Sequence, residues 1–104
     1  MMQYTDDPEL LARMRRDRDI LFRNIQGRCR QLGVTFSELS ACSEVPLYIF
    51  EILEARDLRV DFEMEYIVRI CYYLDRTPLS HIFTPGRYYD EAAADGPPSA
   101  EPQP

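Results

Sequence analysis

Apolar side chains in this chain recur at every third or fourth position over most of its length, the spacing of helices that each bury one stripe. Leu21, Ile25, Cys29 and Leu32 keep that spacing within a stretch from Pro8 to Leu32 whose one breaker is Gly27. Asp7-Pro8 supplies an N-cap followed by proline at the first helical position, and Gly33 stands where a helix end takes a left-handed residue. The first half, with Leu10, Leu11 and Met14, fits either an extension of this helix or a separate one. Thr35-Phe36-Ser37-Glu38 has the form of a capping box, in which the threonine hydroxyl and the glutamate reciprocally satisfy free backbone amides. It predicts a short helix from Phe36 to about Cys42. Ser43, Glu44 and Val45 form a turn, Pro46 opens a helix reaching about Ala55, and Arg56 to Val60 is a loop. Asp61 is expected to cap a fourth helix through Leu74, with Phe62, Tyr66, Ile67, Ile70 and Leu74 on one face. Placing Tyr66, Ile70 and Tyr73 inward leaves Tyr72 at the surface. Thr77-Pro78 caps a last short helix carrying Leu79, Ile82 and Phe83.

The pattern ends after Pro85-Gly86. Residues 90–104 hold no large apolar side chain and four of the eight prolines, too little to offset the entropy of ordering them. The expected fold class is all-α, a five-helix bundle with a disordered acidic tail. Its expected division is a helical extension over 1–19, the main domain over 20–84 and the tail over 85–104. A chain of 104 residues has room for one core. No apolar run approaches the roughly 20 residues that span a bilayer, and Met1 to Pro8 shows no basic-then-apolar signal pattern, so the expected location is cytoplasmic.

Cys29, Cys42 and Cys71 are odd in number, lack the close pairing of metal or redox motifs, and fall where apolar residues are expected. All three are read as buried thiols acting as small hydrophobes. His81 is the one histidine, so neither a zinc site nor a serine–histidine–aspartate triad has its usual parts. No cofactor, metal site or enzymatic role is expected.

The formal net charge of −6 argues against an indiscriminate polyanion binder, but charge is unevenly placed. Residues 13–33 carry seven arginines against Asp17 and Asp19, whereas residues 34–83 carry four arginines against nine acids. Every basic residue is arginine, able to make forked contacts to phosphate or carboxylate. Asp19 is expected to pair with Arg15 or Arg23.

Two short helices joined by a three-residue turn within a bundle of about five outline a helix-turn-helix. From Leu21 to Phe83 the chain resembles the Xre or Cro/repressor family of phage and bacterial regulators. Leu21, Ile25 and Gly33 meet the first-helix pattern, and Thr35 and Leu39 the second. Val45 follows the turn, Phe50 and Leu53 match buried positions of the recognition helix, and Glu54 its terminal acid. Ile70, Cys71, Leu74, Leu79, Ile82 and Phe83 resemble the closing helices. The chain departs from the family where glycines are usual, at Glu44 and Arg56. A positive φ at Glu44 would cost on the order of 1 kcal/mol.

The resemblance implies a DNA-binding transcription regulator, a repressor-like dimer that places the helix from Pro46 to Ala55 in the major groove. By position, Thr35, Arg28, Arg56 and Arg59 would then meet phosphates, and Leu47, Tyr48 and Glu51 would face bases. Direct readout favours Arg, Lys, Asn or Gln at such positions, and this helix offers apolar and acidic groups instead. Phe36 likewise stands where the family often has glutamine. The alternative is a protein-interaction module of the same fold, docking a polymerase, a phage-defence component or another regulator through Leu47 and Tyr48. Exposed aromatics favour interfaces, so Tyr72, Tyr73 and Phe83 are candidates for a homodimer contact, with Tyr88 and Tyr89 either joining it or marking the end of order.

Overall fold

A computed structural model describes residues 7–58 and 63–91, and these form five helices with no strand. They are α1 (Pro8–Leu32), α2 (Phe36–Ser43), α3 (Leu47–Ala55), α4 (Met64–Tyr73) and α5 (Leu79–Ile82). The expected cap Asp61, the expected face residue Phe62, the expected phosphate contact Arg59 and residues 92–104 of the expected tail lie outside the described residues.

α1 is continuous, which settles the open choice for its first half. Asp7 accepts a hydrogen bond from the Glu9 amide, Pro8 occupies the first turn, and Gly33 closes the helix at φ 72°. Met14 and Arg18 border the same cleft as Leu58, Met64 and Phe83, so the N-terminal half of α1 lies beside α4 and α5. The capping box of α2 forms in full: Glu38 donates its amide to Thr35 Oγ1 at 3.0 Å and accepts the Thr35 amide at 2.9 Å. α4 begins at Met64 behind Glu63, which makes no side-chain cap.

The core takes Leu21, Phe22, Ile25 and Cys29 from α1, Leu39 from α2 and Val45 from the turn. Ile49, Phe50 and Leu53 of α3 close it against Ile67, Ile70, Cys71, Leu74 and Ile82. Phe36 joins the first three helices, edge-on to Phe22 at 5.8 Å and stacked on Phe50 at 5.1 Å between ring centroids. It is packing rather than reading surface.

Two expectations change at this level. Tyr73 is exposed, not inward, because the buried stripe of α4 runs through Ile67, Ile70, Cys71 and Leu74 and leaves Tyr73 about a quarter-turn aside at 100° per residue. Cys42 is exposed while Cys29 and Cys71 are buried. It stands off the stripe Phe36, Leu39 and Ser43 that α2 turns to the core.

Packing continues beyond Pro85, across the expected boundary between residues 84 and 85. Asn24, fully buried in α1, donates to the Ile82 and Thr84 carbonyls at 2.8 Å each and accepts the Tyr88 amide at 2.8 Å. One amide side chain thus ties three backbone groups that no helix satisfies. Tyr88 crosses α1 at Gly27 so closely that a Cβ there would lie 1.8 Å from the Tyr88 carbonyl oxygen. The Tyr88 ring sits against Arg28 and Arg87, and its hydroxyl is 3.0 Å from His81 Nδ1.

Candidate recognition surface on the third helix

The turn between α2 and α3 decides which side of α3 faces out. Glu44 adopts φ 59° and ψ 30°, the left-handed conformation that favours glycine. Val45 then plugs the core. Ser40 donates to the Val45 carbonyl at 2.6 Å, satisfying a carbonyl of the turn, and Ser43 donates back to the Leu39 carbonyl within α2 at 2.7 Å. Arg69 reaches the Glu44 carbonyl at 3.4 Å from α4. Pro46 fixes the entry to α3 at φ −56°.

With Ile49, Phe50 and Leu53 inward, α3 presents Leu47, Tyr48, Glu51, Glu54 and Ala55 outward. Leu47 is 46% and Tyr48 55% exposed, large apolar groups side by side on the first turn. Residues 34–58 carry five acids, Glu38, Glu44, Glu51, Glu54 and Asp57, against the single base Arg56. The outward face is therefore apolar at its start and anionic around it.

Two of the arginines expected to meet phosphate, Arg28 and Arg56, are turned to the protein itself. Arg56 Nη2 lies 2.7 Å from Asp19 and its Nη1 donates to the Glu54 carbonyl at 2.6 Å, with the guanidinium 4.5 Å above the Phe22 ring centre. Arg28 donates to Thr77 Oγ1 at 2.9 Å and to Gln31 at 3.0 Å, and lies 3.6 Å from Asp75. Thr77, expected as a cap for α5, is instead buried, taking this bond and donating to the Leu74 carbonyl. Thr35 is exposed with its oxygen engaged by the Glu38 amide, leaving the hydroxyl proton as a donor.

Asp19 is the electrostatic link between α1 and α3, held by Arg23 at 2.9 Å and Arg56 at 2.7 Å. Partial burial pushes its carboxyl up, but hydrogen bonds and charge from the two guanidiniums outweigh that and hold it below the usual carboxylate range. Arg23 is one of the two partners expected from spacing; Arg56 comes from a residue 37 positions away. Burial alone pushes the Cys29 thiol up to about 12 and the Cys71 thiol to about 11, so neither supplies a thiolate near neutrality.

Tyr72, Tyr73 and Phe83 are all exposed; the Tyr72 and Tyr73 rings meet edge-on at 5.0 Å between centroids, but Tyr72 and Phe83 border different grooves. Tyr72 borders one with Val68, Cys71, Arg76 and Leu79, while Phe83 borders another with Met14, Leu21 and Leu58. Reading single residues missed Met64 and Val68, which are also exposed; their spacing of four from each other and from Tyr72 was the available signal. It also missed Asn24, whose signal was a polar residue three positions after Leu21, inside an apolar stripe.

Among the described residues no group of three His, Cys, Asp or Glu side chains is placed to hold a metal ion, and no helix is long and apolar enough to cross a membrane. No protein-family model, curated protein or solved structure matches this chain.

Proposed function

We propose that the chain is a non-enzymatic recognition module of helix-turn-helix type whose α3 docks a protein surface. The occupant that suits it is an apolar groove rimmed by basic side chains. The single observation behind this is the outward face of α3: Leu47 and Tyr48 exposed on the first turn, with Glu44, Glu51 and Glu54 around them. An amphipathic helix seated in a groove takes its affinity from a few apolar anchors and its selectivity from the charged rim. The same acids repel phosphates, and the Arg28 and Arg56 guanidiniums would have to leave Asp75, Thr77 and Asp19 to reach any.

The second reading is a sequence-specific DNA-binding regulator. What favours it is the arrangement itself, a capped α2, a tight turn and an α3 whose N-terminal turn points outward. Direct readout would then rest on Tyr48 and Glu51, with Leu47 against a thymine methyl.

Two experiments separate the readings. Capture from the native host should retain a partner on the wild-type chain and lose it on Leu47→Ala/Tyr48→Ala and on Glu51→Arg, and binding to the purified partner should weaken at least tenfold. Survival of that binding in both variants removes the docking surface. Selection from a random duplex pool at low salt should return no enriched sequence. An enriched sequence whose affinity falls steeply with salt and is lost on Tyr48→Ala establishes the regulator instead.

A further inference from the structure

Residues 85–91 cross α1 as a strap, and the two sides of that contact are held differently. On the helix side each polar group is fixed by bonds that the strap does not supply. Asn24, fully buried, donates to the Ile82 and Thr84 carbonyls at 2.8 Å each, which leaves its Oδ1 turned to the strap. Arg28 is held by Thr77 Oγ1 and Gln31, and Arg23 by Asp19. On the strap side no residue from 85 to 91 is buried. A segment with few buried contacts opens at the low end of a protein's range of local stabilities. A seat whose groups are already in place needs little ordering to bind what replaces it.

The strap also shows which chemistry suits the seat. Its Tyr88 amide donates to Asn24 Oδ1 at 2.8 Å. With the strap away, that oxygen is a buried acceptor in need of a donor, so an occupant has to bring a backbone N–H. The Tyr88 carbonyl passes over Gly27 so closely that a Cβ there would lie 1.8 Å from it; the helix gives way to a peptide backbone at this one position. The Tyr88 ring lies 5.2 Å from the Arg28 guanidinium, with its hydroxyl 3.0 Å from His81 Nδ1. The Tyr89 ring lies 5.7 Å from the Arg23 guanidinium. Guanidiniums are drawn to aromatic faces, and two acids, Asp90 and Glu91, follow directly toward an arginine-rich helix. Asn24 and Gly27 thus accept backbone, while the arginines and His81 select side chains.

We infer that the seat formed by Asn24, Gly27, Arg28 and His81 is an exchangeable peptide site. Residues 85–91 fill it in cis, and a partner protein's segment of the same chemistry, a tyrosine pair followed by acids, replaces them in trans. The seat does not use Leu47 or Tyr48, so it stands or falls independently of what α3 binds.

A fluorophore-labelled synthetic peptide of residues 85–91, titrated with the full chain and followed by anisotropy, tests it. Tyr88→Gly removes the strap's anchor, and this chain should bind the peptide about tenfold tighter or more than the wild type, whose seat is filled. Replacing the first tyrosine of the peptide by alanine should abolish that binding. Adding Gly27→Val to the Tyr88→Gly chain should abolish it too, since a side chain then stands where the peptide carbonyl must pass. Circular dichroism checks that both variants keep their helices. In the wild type, excess unlabelled peptide should speed hydrogen exchange at the strap's own Tyr88 amide, an arm that needs no variant. Equal affinity for wild type and Tyr88→Gly, binding that persists without the tyrosine or with Gly27→Val, or a Tyr88 amide indifferent to the peptide overturns the inference.

Discussion

Glu44 and Arg56 both hold left-handed backbone, at φ 59° and φ 52°, yet they should respond oppositely to glycine. Glu44 meets α4 through its carbonyl, which accepts from Arg69, so Glu44→Gly keeps that bond and relieves the Cβ strain. It should raise stability by up to about 1 kcal/mol in urea denaturation. Arg56→Gly relieves similar strain but deletes the ion pair to Asp19 and the cover over Phe22, and should lower stability. Glu44 was legible in the sequence as a position under conformational pressure; Arg56 was read by place alone as a phosphate contact, because its partner Asp19 is remote in the chain. Asn24 and Gly27 were beyond local reading for the same reason. Their role depends on Tyr88, more than sixty positions on. Asn24→Ala should cost on the order of 2 kcal/mol, since it leaves the Ile82 carbonyl and the Tyr88 amide unpaired at about 1 kcal/mol or more each, while the Thr84 carbonyl keeps the Arg87 amide. Gly27→Ala would gain about 1 kcal/mol in an isolated helix. Here the Tyr88 carbonyl must move, and the overpacking cost of about 1–3 kcal/mol should make the net change destabilising and expose residues 85–91 to protease.

At the scale of elements, helix ends were the most legible feature, because caps are local chemistry. Asp7, Gly33, the Thr35/Glu38 box and Pro46 all stand where spacing put them. Helix faces were less so: a quarter-turn error moved Tyr73 and Cys42 from core to surface. The thiols make this measurable. One equivalent, from Cys42, should react quickly with an aromatic disulfide reagent, and the other two only on unfolding. The links between elements also set the pH response. Asp19 is held below its unfolded value of about 3.9, so its pairing with Arg23 and Arg56 stabilises the fold above that pH and is lost as pH falls through the folded value. Asp19→Asn should therefore lower the urea midpoint at neutral pH and lose that difference in acid. Cys29 and Cys71 act at the other end. Their folded values of about 12 and 11 exceed the unfolded thiol value of about 8.5, so stability should fall from about pH 8.5 upward until the buried thiols themselves ionise.

Across the whole molecule the charge is sorted by element, with arginine concentrated on α1 and acid on α2, α3 and the start of α4. Part of the arginine is spent internally, since Arg18, Arg23 and Arg28 each bond within the chain. What faces outward on α3 is apolar and anionic, and the proposal of a protein partner rather than a nucleic acid rests on that surface. The candidate surface was legible because helical spacing sets Tyr48 opposite Phe50 and Leu53, with Leu47 about a quarter-turn from them; the loss of Arg28 and Arg56 as free cations was not, because it required the folded neighbours. Placing a photoreactive phenylalanine analogue at Tyr48, with Gln31 as an exposed control on α1, and irradiating in the native host asks the question at the surface itself. A nuclease-resistant, protease-sensitive adduct at Tyr48 and none at Gln31 is the predicted result. An adduct at Tyr48 that nuclease removes, or no adduct at all, contradicts a protein-docking α3.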